Sequence, residues 1–420
     1  MFLLIPRRRK RLCFRDRTMS NSKSPPILSI IIPTRNRAEY AISAIRSVLN
    51  ITSPKVELVV QDNSSNKDLE EYLSLNICDS RVRYNHTTEQ LDMVENFNGA
   101  AEMATGEYIT FLGDDDGVNP EIVDAVAWAK AKGFDALLPT RPAQYYWPDM
   151  RLFYYGARFA STFNIKPFTS KISFPDVEVE MRKCVKTASQ HYLDSSLPKV
   201  YYGIVKRECM EKVKAKTGTY FPGPSPDVAG AMAVANFVKR ICKIDYPLFL
   251  PGSSGKSMGG LGAVKKHVGR LADQPHLPVK YVRNWSNIVP AFFSGNTIWG
   301  EDIVQALRAT GREDILRDFN IPLLHAMCAV FNPDYLSITM RNFYPALRTM
   351  KIGCVRGTLR FAYDYFYTWG LRVRSLVANL THLLSLDKSY TVKRLNNIEE
   401  AVDVLTEYLK SKGRRFDEHL

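Results

Sequence analysis

Short apolar segments alternate with helical patterns from residue 27 to residue 138, and this alternation restricts the fold more than any other feature of the chain. Segments 27–32 and 56–60 are apolar except for Ser29 and Glu57, which is typical of strands that are buried on both faces. Three further strands are predicted at 82–84, 108–112 and 136–138. Because helical patterns separate the strands, we predict an open, mostly parallel α/β sheet with helices on both faces.

The helical patterns between these strands lie at 40–49, 68–75, 93–103 and 121–132. Asn119 is predicted to cap the last of them, because Pro120 follows it at the first helical position. In open sheets of this kind, ligands bind beyond the carboxyl ends of the strands. We therefore expect functional residues in the loops at that edge.

The rest of the chain is less regular. Residues 140–220 are rich in aromatic side chains without a clear period, which predicts loops and an irregular sheet. A helix is predicted to begin near Asp227, a strand at 244–250, and mainly helices from about residue 267. The predicted parts are a basic, disordered extension over 1–24, an α/β domain over 25–265 and a helical region over 266–420.

The chain is basic, with 57 Lys and Arg against 43 Asp and Glu among 420 residues, a net charge of +14. This balance favours an anionic partner, which is a phosphate-bearing substrate, an anionic membrane surface or nucleic acid. Nucleic acid has the least support, because no RNP, zinc or helix-turn-helix signature is present. No segment supplies the roughly 20 apolar residues that a membrane-spanning helix needs. The seven scattered cysteines form no CxxC pair, which favours a reducing compartment such as the cytoplasm.

Three consecutive aspartates, Asp114, Asp115 and Asp116, follow the predicted strand at 108–112. Adjacent carboxylates repel one another and resist ionisation unless a cation is present. Their oxygen atoms suit Mg²⁺ or Mn²⁺, which take few protein ligands and accept substrate phosphates in the remaining positions. We therefore predict a Mn²⁺ or Mg²⁺ site here, and the alternative is a solvated acidic turn.

Four motifs, each at the end of a predicted strand, resemble those of the family 2 glycosyltransferases, which have the GT-A fold. In order they are IIIPTRNR at 30–37, VVQDNSS at 59–65, Asn98 with ATGEYI at 104–109, and Leu112 with the three aspartates. The resemblance covers roughly residues 27–140 and continues more loosely to about residue 262. It implies a nucleotide-sugar donor, typically a UDP-sugar, and inverting transfer of the sugar to an acceptor hydroxyl.

The resemblance also implies roles for individual residues. Asp62 would hold the edge of the base, Asp114 and Asp115 would contact the ribose and the metal, and Asp116 would orient the sugar. Many members have an aspartate where Gly113 stands, so the metal pair is either Asp114 with Asp116 or two adjacent residues, and we assign Asp115 and Asp116. The other residues assigned to the donor are Pro33, Thr34, Asn36, Arg37 and Asn98.

The second half of the α/β domain supplies a candidate catalytic base and a glycine-rich loop. Asp227 follows a proline-stiffened approach at 222–226, which suits a base held in place, although an aspartate there can equally cap the following helix. Lys256 and Ser257 are predicted phosphate contacts in the loop at 251–257. This loop is not a Walker motif, because Leu250 stands where that motif needs its first glycine.

Basic and aromatic residues are interleaved over 341–382, where Asp364 is the one acid. This pattern predicts a helical cap with an aromatic core, or helices lying at a membrane interface. The function hypothesis is a metal-dependent glycosyltransferase of surface polysaccharide synthesis, cytoplasmic or peripheral on the inner face of the membrane. Its acceptor is a glycan or a lipid-diphosphate-linked glycan. The alternatives are a nucleic-acid- or membrane-binding protein on an inactive scaffold, and a metal-dependent nucleotidyltransferase.

Overall fold

A computed structural model of the chain describes residues 25–263, 268–384 and 389–416. The predicted extension over 1–24 lies outside these ranges, as does the predicted domain boundary between residues 265 and 266. The strands are β1 (Leu28–Thr34), β2 (Val56–Asp62), β3 (Val82–His86), β4 (Tyr108–Phe111), β5 (Gly117–Val118), β6 (Ala136–Pro139), β7 (Ala143–Tyr146), β8 (Thr162–Ile165), β9 (Ile172–Ser173), β10 (Ile204–Lys206), β11 (Ile241–Ile244), β12 (Phe249–Leu250), β13 (Gly252–Ser253) and β14 (Tyr390–Lys393).

The helices of the described residues alternate with these strands up to β6 and predominate after β13. They are α1 (Ala38–Leu49), α2 (Asp68–Asn76), α3 (Met93–Met103), α4 (Ile122–Ala131), α5 (Val177–Lys186), α6 (Arg207–Thr217), α7 (Pro226–Val234), α8 (Met258–Ala263), α9 (Val279–Arg283), α10 (Gly295–Thr310), α11 (Glu313–Leu316), α12 (Ile321–Phe331), α13 (Leu336–Thr349), α14 (Cys354–Leu384) and α15 (Ile398–Ser411).

The central sheet has eight strands in the order β3-β2-β1-β4-β10-β6-β11-β9. The pairs β3–β2, β2–β1, β1–β4 and β6–β11 are parallel, whereas β10 runs antiparallel between β4 and β6 and β9 is an antiparallel edge strand. The prediction of a mostly parallel α/β sheet with a mainly helical carboxy-terminal region is confirmed. The carboxyl ends of the parallel strands lie at one edge, where β10 begins.

Alternate side chains of the central strands enter two separate hydrophobic cores, so both faces of the sheet are covered. Ile30 and Ile32 of β1 pack with α1, α2, α4 and α15, whereas Ile31 packs on the opposite face with α3, α6 and α7. The carboxy-terminal helices contribute to both cores. Helices α10, α12 and α13 pack on the α7 side, and α15 packs against α1. The carboxy-terminal helices therefore belong to the same two hydrophobic cores as the central sheet.

Three local predictions are wrong. The strand predicted at 244–250 is two strands, β11 and β12, because Pro247 lies between them and lacks the N–H that a ladder needs. Residues 140–220, predicted as loops and sheet, also contain the helices α5 and α6. The helix predicted to be capped by Asn119 begins at Ile122, and the Asn119 side chain accepts a hydrogen bond from the Glu121 N–H at 3.0 Å.

Helix α14 packs mainly against α12, and most of its residues whose burial is described are exposed. Its buried residues among these are Gly357, which lies against Leu347 of α13, Asp364 and Thr368. Phe343 of α13 is buried, as the aromatic-core prediction requires, but that prediction is wrong for the exposed aromatic residues of α14, which are Tyr363, Phe366, Tyr367 and Trp369. Within the described residues, no helix combines the length and the apolar character that crossing a membrane requires.

Candidate active site

The loops after β1 and β2 are joined by short polar contacts at the carboxyl edge of the sheet. Asn36 has a left-handed backbone with φ 55°, which asparagine tolerates better than most residues. Its N–H donates to Ser64 Oγ at 2.7 Å, and its side-chain oxygen accepts from the Ser65 N–H at 2.9 Å. These contacts fix the loop that carries Thr34 and Arg37.

Thr34, Arg37, Asp114 and Asp115 come together in space. The Arg37 guanidinium bridges two carboxylates, with Nη1 at 2.9 Å from Asp114 Oδ1 and Nη2 at 2.9 Å from Asp115 Oδ2. Thr34 Oγ1 donates to Asp114 Oδ2 at 2.7 Å, and Ser254 Oγ donates to Asp115 Oδ2 at 2.5 Å. The sequence-predicted donor loop and acid cluster therefore form one site, to which Ser254 is added.

Asp116 lies beside these residues and is held on all sides. Its Oδ1 accepts from Tyr202 OH at 2.8 Å and from the Gly252 N–H at 2.7 Å. Its Oδ2 accepts from Tyr201 OH at 3.0 Å and from the Gly113 N–H at 3.0 Å. Asp116 is thus a fully bonded carboxyl at the base of the site.

The acid cluster carries more negative charge than Arg37 can balance. Burial raises the pKa of Asp114 to about 7, with Arg37 opposing the shift and Asp115 adding to it. Burial and the charge of Asp115 also raise the pKa of Asp116 to about 7. Burial lowers the pKa of Arg37, but the charges of Asp114 and Asp115 raise it by more. The net shift is upward, so the guanidinium stays charged.

These residues fit a divalent cation through Asp115. Among the described residues, Asp115 Oδ1 receives no hydrogen bond, while both oxygens of Asp114 and of Asp116 do. No group of three or more His, Cys, Asp or Glu side chains in the described part of the chain could hold a metal ion. An ion that takes few protein ligands and completes its shell with substrate oxygens is compatible with both observations.

The other predicted donor residues lie around this site or apart from it. Asp62, at the end of β2, accepts from Tyr84 OH at 2.9 Å and from the Ser64 N–H at 2.8 Å, and Pro33 is buried within β1. Lys256 forms an exposed ion pair with Glu39, and Ser257 Oγ donates to Ser254 O at 2.9 Å. Asn98 bonds instead to Thr219 Oγ1 at 3.0 Å and to the Tyr220 N–H at 2.9 Å, which ties α3 to the turn before α7.

Asp227, at the start of α7, and Asp302 of α10 both contact the Ser225 hydroxyl group. Asp302 is not among the residues that the sequence predicted for the site. Ser225 Oγ is 2.9 Å from Asp227 Oδ1 and also bonds Asp302 Oδ2, while the Ser225 N–H donates to Asp302 Oδ1 at 2.7 Å. One hydroxyl donates one hydrogen, so one of the two carboxyls must supply the other.

Burial favours Asp302 as the carboxyl that holds this proton. Asp302 is completely buried in α10, and burial followed by the charge of Asp227 raises its pKa well above the usual range. Burial also raises the pKa of Asp227, and Ser225 stabilises the charged forms of both carboxyls, but Asp227 is partly exposed whereas Asp302 is not. The arrangement therefore presents an ionised Asp227, held by Ser225, whose other partner is a protonated Asp302.

A family model matches the amino-terminal part of the chain, and known proteins match parts of it in sequence. Residues 29–171 match the family model described as Glycosyl transferase family 2. The chain is 38% identical over 89 residues to an uncharacterized glycosyltransferase of Rickettsia felis, covering 21% of this chain and 15% of that protein. It is 36% identical over 94 residues to the GalNAc(5)-diNAcBac-PP-undecaprenol beta-1,3-glucosyltransferase of Campylobacter jejuni, covering 22% of this chain and 30% of that protein.

A solved structure is also similar over most of the chain. Residues 1–349 of TarS from S. aureus, in complex with UDP-GlcNAc, superpose with a TM-score of 0.42 at 15% identity and cover 77% of this chain and 91% of that one. The chain thus spans less than a third of the length of the two relatives named above. The resemblance to family 2 glycosyltransferases inferred from the strand-end motifs is confirmed over residues 29–171.

Proposed function

We propose that this protein is a glycosyltransferase that moves a sugar from a nucleotide-sugar, a UDP-sugar by resemblance, to an acceptor hydroxyl. The observation that carries the proposal is the convergence of Thr34, Arg37 and the aspartates at the carboxyl edge of the sheet, inside the segment that matches the family model. The nucleotide would lie against the loops after β1 and β2, where Asp62 is held by Tyr84.

A Mn²⁺ or Mg²⁺ ion is part of the proposal. Asp115 would hold it, and when bound it supplies positive charge to the departing nucleoside diphosphate. Arg37 already neutralises one charge of the cluster, because its guanidinium bridges Asp114 and Asp115.

Asp227 is the proposed base for the acceptor hydroxyl. It is partly exposed, its ionised form is the one that can accept the proton, and Ser225 fixes the direction of its carboxylate. Asp302 acts through Ser225 as a positioning residue, because a protonated Asp302 leaves the Ser225 hydrogen directed at Asp227. Inversion at the anomeric carbon is proposed on the resemblance.

The proposed acceptor is a glycan, free or linked to a lipid diphosphate, in surface polysaccharide synthesis. The C. jejuni relative is named for a PP-undecaprenol-linked substrate, which supports this class of acceptor. An anionic membrane surface is a proposed partner, supported by the outer side of α14. That side exposes eight large hydrophobic residues, Val355, Leu359, Tyr363, Phe366, Tyr367, Trp369, Val373 and Val377. It also exposes Arg356, Arg360 and Arg374, whereas the single acid of the helix, Asp364, is buried.

The experiment that tests the function measures donor binding and sugar transfer separately. Wild-type protein should bind a UDP-sugar by calorimetry in the presence of Mn²⁺ and should release UDP when a glycan acceptor is added. Asp227→Asn should keep donor affinity within about twofold and lower transfer by 10²-fold or more. Glu208→Gln, an exposed carboxylate change in α6, should alter neither quantity. Absence of binding by every UDP-, GDP- and TDP-sugar, with and without metal, would refute the proposal.

A further inference from the structure

Two cationic side chains meet on one carbonyl oxygen near the site. Leu193 O accepts from Arg141 Nη2 at 3.3 Å and from Lys199 Nζ at 3.0 Å. Lys199 Nζ also donates to Tyr192 O at 3.0 Å, and Lys243 Nζ donates to Ser196 Oγ at 3.2 Å in the same loop. Like charges repel at this separation, so the group needs either a carboxylate or another anion nearby.

The described part of the chain supplies no carboxylate oxygen within 4.0 Å of Arg141, Lys199 or Lys243. Two acids of the neighbouring segments have other partners. Asp194 is exposed and lies 4.0 Å from His191, and Glu180 accepts from the Ser196 N–H at 2.8 Å. Lys199 is 7% exposed, and burial followed by the charge of Arg141 lowers its pKa to about 7. No ion pair within the described residues therefore balances the positive charge of this group, and Asp194 and Asp227 act on Lys199 only from a longer distance.

The group lies between the acid cluster and Asp227. Arg141 follows β6 at the carboxyl edge of the sheet and lies 5.3 Å from the centre of the Tyr202 ring, and the Tyr202 hydroxyl donates to Asp116. On the other side, Tyr192 OH donates to Asp227 O at 3.0 Å. Because Arg141 is exposed, the group opens to solvent at this edge.

We infer that Arg141, Lys199 and Lys243 form a binding site for a phosphate or diphosphate group, separate from the donor site. A guanidinium and two ammonium groups offer several N–H donors, which suits the oxygens of such an anion. The assignment of that anion to the acceptor rests on the proposed function, in which the donor diphosphate lies beside Asp115. The acceptor would then extend from this site past Asp227.

Isothermal titration of inorganic diphosphate into the EDTA-treated full chain tests the inference. Wild-type protein should bind it, with UDP present in excess or absent. Arg141→Gln and Lys243→Gln should each weaken binding by about tenfold or more, whereas Lys132→Gln, an exposed cation at the end of α4, should not. Circular dichroism melting of each variant checks that the fold is kept.

Unchanged diphosphate affinity in both Arg141→Gln and Lys243→Gln overturns the inference. Complete exclusion of diphosphate by UDP also overturns it, because the diphosphate would then bind in the donor site. Either result leaves the proposed glycosyltransferase activity standing, because that activity is tested by donor binding and transfer. A water-soluble prenyl diphosphate identifies the source of the anion. Tighter binding than inorganic diphosphate, lost in Arg141→Gln, supports a lipid-linked acceptor, and equal binding supports recognition of the phosphate group alone.

Discussion

Ser225 lies against two carboxyl groups, and the proton between them determines what Asp227 can do. The pKa of Asp302 is raised well above 3.8, so the folded protein binds this proton at pH values where the unfolded chain has released it. The resulting stabilisation is complete below about pH 4 and is lost as the pH rises through the folded-state pKa. The pH dependence of unfolding therefore reports on this pair.

Asp302→Asn should flatten that dependence. The amide can donate to Ser225 Oγ as the protonated carboxyl does, and its oxygen still accepts from the Ser225 N–H, so the fold should be kept. We expect the free energy of unfolding to fall less between pH 5 and pH 8 than in wild type, measured by urea denaturation. Asp273→Asn, an exposed control, should keep the wild-type slope. An unchanged slope in Asp302→Asn would contradict a protonated Asp302.

Asp115→Asn should weaken the proposed metal site more than any change at an exposed acid. The variant loses the carboxylate proposed to hold the ion, so the affinity for Mn²⁺ in the presence of UDP should fall by at least about tenfold in calorimetry. Asp124→Asn, on the exposed side of α4, should bind Mn²⁺ as wild type does. Equal Mn²⁺ affinity in Asp115→Asn would show that the ion, if bound, uses other ligands.

Part of the site could be predicted from the sequence because its residues are adjacent or end strands. Three aspartates in a row and an aspartate after three prolines are visible without a structure. Asp302 is not, because Glu301 and Asp302 in a helical pattern are typical of a solvated helix face, whereas both are buried here. Tyr201 and Tyr202 reach Asp116 only through the pairing of β10 with β4, which no local pattern indicates.

At the level of elements, periodicity predicted strands and helices well where each strand alternated with one helix. β1, β2, α2 and α3 lie within a few residues of their predicted bounds. The antiparallel insertion of β10 was not predictable, because three residues between aromatic loops give no period. Helix α5 was missed because its first four residues alternate between valine and glutamate, which is the period of a strand and not of a helix.

The outer side of α14 is predicted to bind anionic membranes. Leu359 and Phe366 are 70% and 74% exposed, and burying each in a lipid interface should contribute about 1.5 to 3 kcal/mol. Leu359→Ser with Phe366→Ser should therefore lower sedimentation with phosphatidylglycerol vesicles by tenfold or more. Leu75→Ser provides a matched control, because Leu75 is also 70% exposed but lies on α2. Wild-type binding that is equal for phosphatidylcholine vesicles, or unaffected by the double change, would argue against this surface.

At the level of the whole molecule, the first and the last elements of the described residues stabilise each other. Leu405 and Leu409 of α15 belong to the core that contains β1, α1 and α4, and β14 pairs with β8. Unfolding of α15 would expose the side chains of strands that are more than 300 residues away in sequence. The amino-terminal sheet and the last helix should therefore unfold together.

Leu405→Ala should lower the free energy of unfolding of the whole chain by about 2 to 5 kcal/mol, because it leaves a cavity in that shared core. Urea denaturation followed by circular dichroism and by tryptophan fluorescence should give coincident transitions in wild type and variant. Lys410→Ala, on the exposed side of the same helix, should change stability by less than about 0.5 kcal/mol. Loss of α15 structure before the rest of the chain unfolds would show that the ends are independent.

The loop carrying the acid cluster is held partly by main-chain atoms of a distant segment. Gly252 donates its N–H to Asp116, and a Cβ at this position would lie 1.7 Å from Asp115 O. Position 252 therefore admits one amino acid, while the side chain at residue 253 takes no part in the bond to Asp116. During divergence the residues that follow in this loop can change in chemistry while the three aspartates stay in place, provided that residue 252 remains glycine.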